Sequence, residues 1–140
     1  GLASMLNAIR GIGNELKISF VLAGTDEVLS VLTTDDQMAS RFPPVFTHKW
    51  EDDKETRDFL ATIKELLPLR GMVNLEGDKA INNLLVFSEG LIGEIVDILR
   101  LLAIAAIRDG TEGFGFKQIA SDNLRRLGYV SPSMRSLQAR

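Results

Sequence analysis

The chain has 140 residues, 45% of them hydrophobic and 25% charged, with a formal net charge of −3 and a sequence pI near 5.2. This mix fits one ordinary globular domain or two small packed pieces, and it excludes a disordered, collagen-like or uniformly basic nucleic-acid-binding chain. There is no cysteine and one histidine, His48, so disulfides, zinc-thiolate sites, cysteine catalysis and histidine-rich metal centres are excluded as well.

Residues 3–16 predict a helix, because Leu6, Ile9, Ile12 and Leu16 recur at helical spacing. Gly11 and Gly13 weaken it by about 1 kcal/mol each relative to alanine. Ile18-Ser19-Phe20-Val21-Leu22-Ala23-Gly24 is short and nearly continuous in apolar residues, the pattern of a strand buried on both faces. Thr25 or Asp26 then suits the N-cap of a helix over about 27–32, and Asp35 or Asp36 that of a second short helix reaching Ser40. Pro43-Pro44 ends this helix, and the alternation in Val45-Phe46-Thr47-His48-Lys49-Trp50 predicts a second strand.

The rest reads as helical. Asp52 or Asp53 begins a helix to about Leu67, stopped by Pro68, and residues 69–77 form a loop. Asp78 caps a helix through Phe87, and Leu91 to Arg108 is a long helix, apolar on most faces, ended by Gly110. Gly113-Phe114-Gly115-Phe116 is a turn or short extended piece, Lys117 to Leu127 a last helix, and residues 128–140 a tail. The expected organisation is an α/β part over 1–50, a four-helix part over 51–127 and that tail. Two strands cannot cover both faces of Ile18–Ala23, so the expectation is that further strands come from preceding sequence or another chain.

Charge is uneven. Residues 51–77 hold four bases against seven acids, and residues 110–140 hold five bases against two acids. The basic end could touch a polyanion or be a solvated helix end. No stretch approaches the roughly 20 apolar residues that cross a bilayer, and no signal peptide opens the chain. With the lack of cysteine, this leads to the expectation of a cytoplasmic protein with no membrane partner.

Seven blocks, in order and spread over residues 6–119, carry a family resemblance. They are Gly13-Asn14-Glu15-Leu16; Phe20 to Glu27; Asp36-Gln37-Met38-Ala39-Ser40-Arg41-Phe42; Trp50-Glu51-Asp52-Asp53; Leu66-Leu67-Pro68-Leu69-Arg70; Ser88 to Ile95; and Ala105 to Gly110. Together they resemble the C-terminal part of an AAA+ ATPase, of the TniB/TnsC type found in bacterial transposons. The resemblance implies a P-loop NTPase fold with its helical lid, mainly helical overall. It implies that Thr25, beside Gly24 at the tip of the first strand, is a sensor-1 hydroxyl that contacts phosphate or water. Arg41 would be an arginine finger acting in a neighbouring subunit. Gly90 and Gly93 would lie where the lid meets nucleotide, with Gly93 replacing the usual sensor-2 arginine.

The implied function is ATP-dependent regulation of DNA transposition by a homo-oligomer that assembles on DNA and works with a transposase and target-selector proteins. ATP and magnesium would be cofactors of the full-length protein. The sequence contains no G-x-x-x-x-G-K-[ST] phosphate loop and no strand ending in paired acids, so this stretch alone is expected to be inactive and to bind no cofactor.

Alternatives remain at this point. Thr25 suits a plain N-cap, Arg41 a surface arginine lying over Phe42, and Trp50 a plug between domains. His48 suits a strand edge, and Glu51, Asp52, Asp53, Asp35 and Asp36 suit helix caps and dipole partners. A non-catalytic helical protein-interaction module is the rival function, and a DNA-binding domain using residues 117–135 is a third.

Overall fold

A computed structural model describes residues 2–34 and 36–138. The chain divides into two compact units, residues 1–47 and 48–140. The described residues are mainly helical, and the one β-bridge among them joins Val73 and Phe114 in parallel.

The first unit contains α1 (Leu2–Leu16), α2 (Asp26–Leu32) and α3 (Asp36–Arg41). Lys17 ends α1 in the left-handed region at φ 53°, and the chain doubles back so that the Phe20 ring lies against Gly13. A Cβ on Gly13 would sit 3.1 Å from that ring, so the glycine that weakens the helix also admits the aromatic. Leu32 and Met38 are buried, with Leu22, Val28, Val31 and Phe42 packed around them.

Neither expected strand forms. Residues 18–25 and 43–51 have no regular secondary structure, so the α/β arrangement expected over 1–50 is not built by this chain. The reason is the hydrogen-bond requirement: a strand exists only through a neighbour that takes its N–H and C=O groups. Residues 18–24 make no backbone–backbone hydrogen bond among the described residues. Val21 and Val45 are 96% and 93% exposed. Asp35, one of the two expected caps for α3, lies outside the described residues.

The second unit contains α4 (Lys54–Leu66), α5 (Asp78–Ser88), α6 (Ile92–Asp109), α7 (Ser121–Arg126) and α8 (Pro132–Gln138). α4 starts at Asp53, whose carboxylate accepts the Thr56 N–H at 2.8 Å, and it stops at Leu67, before Pro68. α5 and α6 form an αα-hairpin around Glu89-Gly90, both left-handed, at φ 53° and 70°. The N-cap of α5 is Gly77; Asp78 is the first helical residue and its carboxylate receives Arg57 at 2.9 Å. Gly110, at φ 76°, ends α6.

The core of this unit runs through Leu60, Leu84, Ile95, Leu99, Leu102 and Leu124, all at most 2% exposed. It is closed at one side by the loop expected over 69–77, which runs beside residues 112–114. Gly71 N–H donates to Glu112 at 2.7 Å, and Asn74 N–H to Phe114 at 2.9 Å. A Cβ on Gly71 or Gly113 would lie 2.5 Å from a backbone oxygen of the other strand of chain, so both positions need glycine.

Two further expectations change here. The last helix of the four-helix part is shorter than 117–127, because residues 115–120 form turns ahead of α7. Residues 132–138, expected as tail, form α8. Pro132 opens it at the first helical position, where the missing N–H costs nothing. Ser133 N–H donates to Glu89 at 2.9 Å, and the Arg135 guanidinium pairs with Glu94.

Candidate functional site

In the first unit a groove of about 500 Å³ is walled by Phe20, Leu22, Val28, Phe42, Pro43 and Phe46. Gly24, Thr25 and Arg41 all line it, so three of the five candidate residues share one surface. Thr25 arrives there as the N-cap residue of α2. Its backbone is extended (φ −86°, ψ 175°), and its carbonyl accepts the Val28 and Leu29 N–H groups at 3.0 and 3.3 Å. Its hydroxyl makes no cap bond; it donates to Glu27 Oε2 at 2.9 Å. Gly24 precedes it at a place where a Cβ would meet Val28 Cγ2 at 2.7 Å. Glycine there brings the backbone hard against α2 and sets where the Thr25 hydroxyl emerges.

Arg41 is the last residue of α3. One guanidinium nitrogen donates to Asn14 Oδ1 at 2.8 Å, which ties α3 to α1 and holds the long side chain at the groove. Asn14 belongs to one of the seven blocks but had no assigned role, and only the 27-residue separation closed by the fold reveals it. The Arg41 side chain is exposed, and guanidinium geometry offers paired planar donors to a phosphate. The groove therefore presents the Thr25 and Thr47 hydroxyl groups and one tethered cation, Arg41, among apolar walls. Among the described residues no group of three or more His, Asp or Glu could hold a metal ion. Thr25 and Arg41 fit contacts to phosphate oxygens, and the residues of this groove do not fit a magnesium site.

Gly90 and Gly93 belong to the second unit. Gly90 is buried in the α5–α6 turn. Its carbonyl accepts the Trp50 N–H at 2.7 Å, and a Cβ would lie 2.7 Å from the Trp50 carbonyl oxygen. Backbone packing thus accounts for this glycine. Gly93 sits in the first turn of α6 with nothing within 4 Å of a Cβ. Trp50 stacks on Phe59, centroids 4.8 Å apart at 50°, and packs against the core of its own unit. Asp52 receives Arg57 at 2.8 Å, and the Asp53 carboxyl is held below its usual range by the Thr56 N–H. His48 is exposed and lies in no strand.

A polar cluster that sequence reasoning missed occupies the second unit. The Tyr129 hydroxyl lies 2.9 Å from the Phe87 carbonyl and 3.1 Å from Glu94 Oε2, while Glu94 also holds Arg135. Burial pushes the Tyr129 hydroxyl well above its usual range, and the Glu94 carboxylate adds to that. The basic residues of 110–140 are divided by this arrangement: Arg135 is committed to Glu94, whereas Arg125 and Arg126 are exposed on α7.

Residues 3–52 match the family model of the bacterial TniB protein. The matched stretch spans almost the whole first unit, with Gly24, Thr25 and Arg41 inside it; Gly90 and Gly93 lie beyond it. The match supports a TniB-type chain and is consistent with a transposition-related protein. No curated protein and no solved structure matches the chain. Among the described residues no helix is long and apolar enough to cross a membrane.

Proposed function

We propose that this chain serves ATP-dependent control of DNA transposition, with Thr25 meeting the phosphate of its own subunit's nucleotide and Arg41 that of a neighbouring subunit. The observation that carries the reading is the TniB match over residues 3–52, which contains Gly24, Thr25 and Arg41. In this reading, residues 18–25 become a strand of an AAA+ sheet once neighbouring strands are supplied, and Arg41 projects into the site of an adjacent subunit of a homo-oligomer. Thr25 orients water or phosphate, and Arg41 stabilises charge on the transferring phosphoryl group. ATP and magnesium are bound by the assembled protein, with Thr25 and Arg41 contributing only phosphate contacts. The lid corresponds to the second unit, and with glycine at position 93 it adds no arginine to the phosphates. The assembled protein binds DNA in a cytoplasmic setting and recruits or licenses a transposase together with target-selector proteins.

The test uses the protein as its host makes it. Arg41→Ala should lower DNA-stimulated ATP hydrolysis by roughly 10³-fold or more, the scale of arginine fingers acting in trans. Arg41→Lys should recover little, because an ammonium lacks the paired planar donors. Mixing Arg41→Ala with a co-assembling variant that is defective in nucleotide binding should restore part of the activity. Wild-type hydrolysis and wild-type transposition frequency in both Arg41 variants would sink the assignment. The self-contained helical core of residues 48–140 favours a second reading, a non-catalytic interaction module. Under it both Arg41 variants transpose normally and hydrolysis is absent from the start.

A further inference from the structure

α6 turns Ile95, Ile98, Leu99, Leu102 and Ala106 into the core of its unit. At 3.6 residues per turn, the opposite side of the helix carries Gly93, Asp97, Arg100 and Ile104, with Val96 and Ile107 along one edge. Val96, Ile104 and Ile107 are 40%, 40% and 50% exposed. Ile104, flanked by Ile107 and Val96, leaves exposed apolar surface beside charges of both signs, a combination that suits a contact surface. Arg100 and Asp97 form an exposed ion pair at 3.1 Å in its middle. Open space surrounds Gly93.

We infer that this face of α6 is the contact surface for a second copy of the same chain, packed antiparallel about a two-fold axis. The order of residues along the helix favours this partner. Gly93 lies four residues before Asp97, and Ile104 lies four residues after Arg100. An axis passing between Asp97 and Arg100 therefore sets Asp97 of each copy against Arg100 of the other. The same operation sets Ile104 of each copy over the gap at Gly93 of the other. Charge meets opposite charge and bulk meets space twice, with no residue left facing its like. Such self-complementarity is what a two-fold interface requires.

The spacing 93, 97, 100, 104 alternates four and three residues, the seam along which helices pack at a shallow angle, and a polar pair within such a seam fixes register at some cost in affinity. Residues 93–107 span only about 21 Å. The buried area is accordingly small, in the size class of weak and transient contacts. This face lies in the second unit, so the inference is independent of the nucleotide reading and of Arg41.

Sedimentation equilibrium of the whole chain from about 1 to 300 μM should show a reversible monomer–dimer equilibrium. Asp97→Arg places four arginines at the axis and should weaken the dimer by about 30-fold or more; Arg100→Asp should do the same with four acids. The double variant Asp97→Arg with Arg100→Asp should return to within about threefold of the natural chain, since it restores opposite pairs. Gly93→Leu, which fills the gap for Ile104, should weaken association by about tenfold without unfolding α6. Circular dichroism and the fluorescence of the sole tryptophan, Trp50, report that the fold is kept. A chain monomeric at every concentration overturns the inference. So does a dimer indifferent to the single charge reversals, which would place association elsewhere, or a double variant that fails to recover. Binding to anionic vesicles by a chain that stays monomeric also overturns it.

Discussion

In residues 48–140 fifteen apolar residues are buried together, whereas residues 1–47 bury only Leu32 and Met38 among the described residues. The second unit reaches its core with an 18-residue helix paired to its own sequence neighbour, so most of the burial follows from local chain reversal. The first unit has helices of 15, 7 and 6 residues, with an apolar segment between the first two that makes no backbone–backbone hydrogen bond among the described residues. Helices of six or seven residues do not hold themselves without a packed face. The apolar residues are present in both units; only in the second does this chain also supply what covers them. Ile18, Val21, Val45 and Phe46 stay at least half exposed. This difference is why the first unit is the place to look for assembly-dependent structure.

Core truncations test the contrast most severely. Leu84, at 0% exposure, sits at the centre of the second core, and Leu84→Ala should cost about 3–5 kcal/mol. Leu32, in the small cluster, has partly exposed neighbours able to collapse or be wetted, and Leu32→Ala should cost about 1 kcal/mol. Urea unfolding followed by Trp50 reads the first, and hydrogen exchange in α2 reads the second. Equal losses would erase the distinction between the units. Exchange of the natural chain sharpens it further: amides of residues 18–24 should exchange at nearly unfolded rates, and those of Ile98 to Leu102 only through global opening. Slow exchange at Phe20 to Leu22 in the isolated monomer would contradict the fold described for this segment.

Gly90→Ala comes next in size. It adds a Cβ at φ 70° and places it 2.7 Å from the Trp50 carbonyl oxygen. The left-handed conformation alone costs about 1–2 kcal/mol, and the close approach adds to it. A midpoint shift of about 2 kcal/mol with a changed Trp50 emission is expected. Gly93→Ala, in open helical space, should be neutral or stabilising by up to about 1 kcal/mol. Equal effects of the two would remove the packing explanation for Gly90.

Much of the second unit was legible because its signals are local. Helical spacing, Asp53 as a cap, Pro68 as a stop and Gly110 as a C-cap all act within a turn of the residue concerned. The strand expected over 18–24 fails because a strand is defined by a partner, and no local pattern reports whether one is at hand. α8 was missed for the same reason in reverse. Pro132 was a readable start, but its anchors, Glu89 and Glu94, are 44 and 41 residues away. In the candidate site, Gly24, Thr25 and Arg41 were legible as residues. That they line one groove, and that Asn14 holds Arg41, emerges only once α1 and α3 are brought together.

The smallest expected effect concerns the alkaline edge of stability in the second unit. Tyr129 is the sole tyrosine, and its hydroxyl is partly buried between the Phe87 carbonyl and the Glu94 carboxylate. Both burial and the neighbouring negative charge disfavour the phenolate, so the folded state holds the proton more tightly than the unfolded chain, whose tyrosine titrates near 10. A raised folded value stabilises the fold fully below the unfolded one. That contribution disappears as pH climbs from 10 through the folded value, because the unfolded state loses its proton first. Tyr129→Phe should therefore cost about 1 kcal/mol at neutral pH, by leaving the Phe87 carbonyl short of its donor, and should flatten the decline above pH 10. Tyrosinate absorbance reads this residue alone: in the natural chain it should rise only together with the loss of Trp50 structure. Ionisation with a midpoint near 10 while Trp50 remains native would show that Glu94 and Phe87 do not hold the hydroxyl in solution, and that the C-terminal helix is less firmly attached than the rest of its unit.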